Sequence, residues 1–252
     1  MSLIIGLLVS CRLASDDSRV NIEDSRKKTS VLSDACNYAS YDAKQGYVTG
    51  FACYADQLLV DNKIVWEGKP IRFARVEVLR NDNDEILATT QTNAFGYYEV
   101  DLSAIDQATG IRSRVVASGT LSVKESAVLG QSGYPYALAS DEIEFNRNDS
   151  PVLNLVAVNT EVAPAFNILD QFIDAQLYLK NVAGIGDIPT LDAHWYQGNR
   201  LGTFYCPARY DGVECEGRDE IYILGLDSDS DAYDDVVLLH EYGHFCTGQV
   251  FP

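Results

Sequence analysis

Histidine is scarce in this sequence, with three in 252 residues. A site built on imidazole therefore has few places to be, and one pair alone, His240 and His244, lies close together along the chain. Basic residues are also few: 19 Lys and Arg stand against 37 Asp and Glu, a formal net charge of −18. That balance repels phosphate backbones and anionic lipid, which excludes nucleic acid and acidic membrane surfaces as partners. No apolar run is long enough to span a bilayer. What remains, with 46% hydrophobic residues, is the composition of a soluble globular protein of one or two domains.

The histidine pair sits in His240-Glu241-Tyr242-Gly243-His244. On an α-helix, residues four apart share a face, so both imidazoles can present a nitrogen to one Zn²⁺ while Glu241 lies beside the metal. In that arrangement the glutamate takes a proton from a water that attacks a polarised peptide carbonyl, which is metalloprotease chemistry. The context supports a helix over residues 233–246, with apolar Val236, Val237, Leu239 and Tyr242 and no proline. Asp231 is the expected N-cap, Asp234 and Asp235 fall in the first turn, and Gly248 is the expected stop. Gly243 costs a helix roughly 1 kcal/mol relative to Ala, so a closely packed neighbour is expected there. An ordinary amphipathic helix could carry the same two histidines without any chemistry. The concurrence of cap, helix and motif favours the metal.

Upstream, residues 220–225 form a short apolar run that reads as a strand. Here the chain resembles the zincin metallopeptidases, in which an edge strand before the active-site helix holds substrate in an extended conformation. By that resemblance Ile221, Tyr222, Ile223 and Leu224 bind the peptide through β-augmentation. A catalytic zinc takes three protein ligands and one open position. The metzincin continuation is missing, because Thr247 and Val250 stand where Gly and His would be. The gluzincin third ligand is a later Glu, which makes the chain read as the N-terminal part of a longer gluzincin-like protein that binds zinc weakly. His194 lies on the wrong side of the motif for either pattern. Cys246 is expected to point away from the metal.

The first eleven residues are apolar and end in Leu8-Val9-Ser10-Cys11, which resembles a bacterial lipobox with Cys11 as the lipidated residue; a buried N-terminal strand is the competing reading. Residues 12–45 are polar and aperiodic and read as a tether. Residues 46–160 read as short strands: 75–80 alternates, Asn81-Asp82-Asn83-Asp84 turns, 86–92 returns, and Asn93-Ala94-Phe95-Gly96 leads into 97–102. Further strands are expected at 113–118, 139–145 and 152–158. The whole is an antiparallel β-sandwich, and residues 74–102 resemble the carboxypeptidase regulatory-like domain, a transthyretin-like (Ig-like) sandwich that is usually an accessory module. Residues 161–252 then form the partial zincin domain. It begins with a helix opened by Pro164 that places Phe166, Leu169, Phe172, Ile173, Leu177 and Tyr178 on one side and turns Asp170, Gln171 and Asp174 outward.

Of the six cysteines, Cys206 and Cys215 bracket a loop that an exported protein could close with a disulfide, and Cys36 with Cys53 is a second pairing. Asp227, Asp229 and Asp231 are spaced like the start of a Ca²⁺ loop, although Ala232 and Leu238 occupy positions that would be Gly and Glu; a helix cap in a solvated loop explains them equally. The sequence thus predicts an α+β chain, a sandwich followed by half a zincin, exported and lipid-anchored to the outer membrane or cell surface, otherwise periplasmic or secreted. Its predicted activity is zinc-dependent endopeptidase on peptide or protein substrates. The alternative is a non-catalytic surface protein whose sandwich binds protein or glycan.

Overall fold

A computed structural model describes residues 44–119, 126–158, 160–208 and 218–250. Cys11, the tether before residue 44, Cys36 and Cys215 lie outside the described residues. The fold is α+β and rich in strand, with two principal sheets, as the alternating patterns predict.

The long β1 (Tyr47–Val60) pairs antiparallel with β2 (Lys63–Pro70) through a two-residue turn at Asp61 and Asn62, whose φ values of 49° and 59° suit the primed turns that match strand twist. These two strands are missing from the sequence reading. The Asp-Asn pair flanked by Leu-Leu-Val and Lys-Ile-Val-Trp is the signal that could have found them. The first sheet is completed by β5 (Tyr97–Asp101), antiparallel to β1, and by β10 (Leu155–Ala157), parallel to β1.

In the second sheet, β3 (Ala74–Arg80) pairs with β4 (Ile86–Gln91) as a hairpin across the expected acidic turn, where Asp84 takes φ 58°. On its other side β3 pairs with β6 (Thr109–Gly119), which also carries β8 (Ala137–Ala139) and β9 (Ile143–Phe145). The end of β6 pairs with β7 (Ser126–Leu129), and β7 pairs in parallel with β11 (Asp192–His194). Next comes β13 (Glu220–Tyr222), parallel to β11, and then β12 (Phe204–Cys206), antiparallel to β13. The order β12-β13-β11-β7-β6-β3-β4 is one sheet.

The boundary expected near residue 160 therefore does not interrupt the structure. Strands from both sides of it share a sheet, and one apolar core runs from Val48 and Val76 through Phe166 and Phe172 to Ile221, Tyr242 and Phe245.

The helix opened by Pro164 is α1 (Ala163–Asn181), which packs on β1, β6, β7 and the second helix. Its expected outer face is partly buried: Asp170 is 6% and Gln171 4% exposed. Periodicity mistook Asp170 for a solvent residue because its partner, Arg72, is 98 residues away; Arg72 Nε donates to Asp170 Oδ1 at 2.6 Å. Burial of the carboxyl pushes its pKa up, against the pull of Arg72.

Candidate metal site

The second helix, α2 (Asp235–Phe245), starts two residues later than the spacing predicts. Its N-cap is Asp234, whose Oδ1 accepts from the Val237 N–H at 3.2 Å. Asp231 instead begins a 3₁₀ turn, Asp231–Tyr233, and accepts from the Thr203 hydroxyl. At the other end the helix widens into a π turn, Cys246–Val250, which contains Gly248. The close neighbour expected at Gly243 is absent: nothing lies within 4 Å of a Cβ built there.

Leu238, Tyr242 and Phe245 are buried and share one face of α2. Phe172 of α1 meets Tyr242 at 5.3 Å between ring centres, and Tyr205 of β12 meets Phe245 edge-on at 6.1 Å. That packing turns His240 and His244 to the opposite side, exposed, with their Nε2 atoms 3.1 Å apart. Two imidazoles on a tetrahedral zinc, with Zn–N of about 2.0–2.1 Å, would hold their nitrogens about 3.3 Å apart, so the pair fits one ion.

Glu241 lies at the boundary between the two faces, 9% exposed. Its Oε1 stands 4.0 Å from His240 Nε2, and its Oε2 accepts the Tyr205 backbone N–H at 2.8 Å. The ligand atoms of His240, Glu241 and His244 all lie within 4.8 Å of one another, the one such metal-capable group among the described residues. Beside them is a cleft of about 530 Å³ lined by Phe204, Tyr205, Pro207, Glu241, His244, Thr247 and Gly248.

The structure relocates the strand that meets the site. β13 is paired on both sides, by β11 and β12, and Ile221 and Ile223 are fully buried. Ile221, Tyr222, Ile223 and Leu224 therefore cannot offer a backbone edge to a peptide. Among the described residues the strand that ends the sheet on this side is β12, with β4 at the other end. The signal for β12 was faint: Phe204 and Tyr205 precede Cys206, but Gly202 and Pro207 bound the run too closely to show a period.

His194 does not join the group. Its Nε2 stands 3.0 Å from Oε1 of the fully buried Glu220, and its ring stacks on Tyr222 at 4.8 Å. Tyr222 in turn stacks on Phe204 at 5.3 Å. Cys246 is a free, buried cysteine whose thiol is pushed up to about 11 by burial. It lines a separate cleft with Leu179, Leu239 and Tyr242 on the far side of α2 from Glu241. Cys53 and Cys206 are each disulfide-bonded.

The acidic triplet does not gather into a calcium loop. Asp229 belongs to a short ladder, β14 (Gly225–Leu226) with β15 (Asp229–Ser230), while Asp227 accepts from Gln197 Nε2 at 2.8 Å and Asp231 is engaged by Thr203. Among the described residues the three carboxylates do not form a metal-capable group.

No family model matches this chain, and no curated protein matches it. One similar solved structure is a 9R-lipoxygenase from Cyanothece, 13% identical, aligned over 65% of this chain and 27% of that one with a TM-score of 0.24. This chain thus spans about a quarter of that protein's length, and at such a TM-score the likeness carries neither fold nor activity across.

Proposed function

We propose that the chain carries the histidine pair and general base of a zinc-dependent peptidase, of the zincin kind that its motif resembles. The observation that carries this reading is the joint geometry of three residues: His240 and His244 with nitrogens 3.1 Å apart, and Glu241 between them held by a strand's N–H at the mouth of a cleft. A metal held by His240 and His244 would supply Lewis-acid polarisation of a peptide carbonyl. Glu241 would take the proton of the attacking water. Its Oε2 is committed to Tyr205, which fixes the carboxyl plane and leaves Oε1 as the basic atom. An extended peptide would lie beside β12, with a side chain in the cleft between Phe204 and Gly248.

The sandwich half resembles a transthyretin-like module, and an exported, lipid-anchored protein is the setting that the lipobox-like start at Cys11 suggests. The disulfide-bonded state of Cys53 and Cys206 supports an oxidising compartment. A second reading, a non-catalytic surface protein, is favoured by one observation: among the described residues the metal-capable group contains two histidines and no third ligand besides Glu241 itself.

Zinc titration of the purified chain, with a His240→Ala variant beside it, separates the readings. One zinc per chain, lost in the variant, supports the metal site; no zinc binding by the wild type removes the peptidase reading and leaves the surface protein.

A further inference from the structure

Between the sandwich and the start of α2 lies a buried polar cluster centred on Asn167 of α1, which is fully buried. Its Nδ2 donates to the Ala232 carbonyl at 3.0 Å and to Asp235 Oδ1 at 3.1 Å. Both partners are acceptors, so the amide must face them with its nitrogen. Its Oδ1 lies 3.2 Å from the Tyr54 hydroxyl of β1, which can give its single hydrogen to it or to Asp170 Oδ2 at 3.1 Å. Arg72 braces the same stretch of α1, reaching Asp170 at 2.6 Å and Asp174 at 2.7 Å. One amide thus joins a sandwich strand, α1, the turn before α2 and the first residue of α2.

The contacts that bury α2 through Leu238, Phe245 and the ring of Tyr242 are apolar and non-directional. Such contacts tolerate small rolls and slides that directional hydrogen bonds do not. Side-chain hydrogen bonds tie α2 to the elements it packs on at its start, Asn167 to Asp235, in its middle, Tyr205 to Glu241, and on its buried face, Gln176 to Tyr242. Asp235 precedes His240 by about 7.5 Å of helix rise, so a shift at the first bond reaches the histidines through a rigid rod.

We propose that Asn167 is a positioning residue for the metal site, fixing the roll of α2 so that His240, His244 and Glu241 keep their mutual geometry. Through Tyr54, the sandwich is then the base on which the site is registered. This rests on the peptidase reading for its consequence, though not for its geometry. Asn is the residue type the position requires: Asp would keep the shape but lose both donors and set a like charge beside Asp235, and Leu would lose all three bonds.

The test uses the full chain and compares Asn167→Leu with Val78→Ala, a fully buried core change in β3 chosen to cost similar thermal stability. Two quantities are read: zinc affinity by chelator competition, and amide hydrogen exchange over residues 235–245 in metal-free protein. Asn167→Leu should weaken zinc about 10- to 100-fold, as loss of an outer-shell support does, and should speed exchange along α2, while Val78→Ala leaves both unchanged. Asp235→Ala, which removes a part-exposed partner and leaves the buried amide itself in place, should move both readings in the same direction. Asp235→Asn keeps the acceptor and should restore them. Wild-type exchange and affinity in Asn167→Leu, or equal losses in Val78→Ala, would overturn the proposal. A wild-type chain that binds no zinc would instead sink the peptidase reading, and exchange alone would then decide the role of Asn167.

Discussion

The Tyr205 backbone N–H donates to Glu241 Oε2 at 2.8 Å, across 36 residues of chain. This one bond ties a terminal strand of the second sheet to the carboxylate beside the histidine pair. Every functional expectation for the site passes through it, because it decides which carboxylate oxygen is free to work.

Glu241→Gln retains an oxygen that can accept the Tyr205 N–H but has no basic carboxylate. Zinc binding is therefore expected to persist while peptide hydrolysis falls by about 10²- to 10⁴-fold, the usual contribution of a general base. Hydrolysis of a quenched fluorescent peptide library, read alongside zinc content, checks both halves. Undiminished activity would take Glu241 out of the mechanism.

Removing metal is expected to leave the fold intact. α2 is held by Leu238, Tyr242 and Phe245 in the common core and by Asn167, none of which needs an ion. Far-ultraviolet circular dichroism should be unchanged by a chelator, and the melting temperature should rise with added zinc only as mass action on the native state demands. Loss of helix signal on chelation would mean that the ion organises the helix.

Cys246, with its thiol raised to about 11 by burial, should resist alkylation in the native state near pH 8. The same thiol should react readily after denaturation. Timed labelling followed by peptide mass mapping distinguishes this from an accessible thiol, which would be modified at once.

Cys206 is disulfide-bonded at the end of β12. Cys206→Ser is therefore expected to cost about 2–4 kcal/mol under oxidising conditions and close to nothing under reducing ones. Equal melting temperatures for variant and wild type in oxidising buffer would show that the bond contributes no stability.

Asp235 has its pKa raised, first by burial and against the Asn167 hydrogen bond. Because the folded protein binds this proton more tightly than the unfolded chain, the associated stability is fully present below the ordinary carboxylate value of 3.8 and is lost as pH rises through the folded value. Asp235→Asn cannot titrate, so its melting temperature relative to wild type should improve between pH 3.5 and pH 7. A constant difference across that range would contradict the assignment.

The elements readable in the sequence are those set by neighbours in the chain. The hairpin at Asn81 to Asp84, the strand after Gly96 with its φ of 76°, and the helix from Pro164 each follow from turn chemistry or proline geometry within a few residues. The histidine pair belongs with them. Spacing of four on a helix places His240 and His244 on one face whatever surrounds them.

The readings that failed depend on distant partners. Residues 221–224 are apolar and β13 is interior, and an apolar run looks the same whether its strand ends a sheet or lies within one. Asp170 reads as an outward polar position of an amphipathic helix, yet its partner Arg72 lies 98 residues earlier. Asp231 has every local mark of a cap but is engaged by Thr203, so the cap passes to Asp234.

By itself, then, the amino-acid sequence determined the chemistry available to this protein: two imidazoles and a carboxylate on one short helix, in an acidic, strand-rich chain. Only the tertiary structure decided which backbone grips Glu241, which strand terminates the sheet, and which buried amide seats the helix. The physical reason is that side-chain spacing on a helix is a property of covalent geometry, whereas pairing across a sheet and satisfaction of buried polar groups are settled between residues that meet only when the chain has folded.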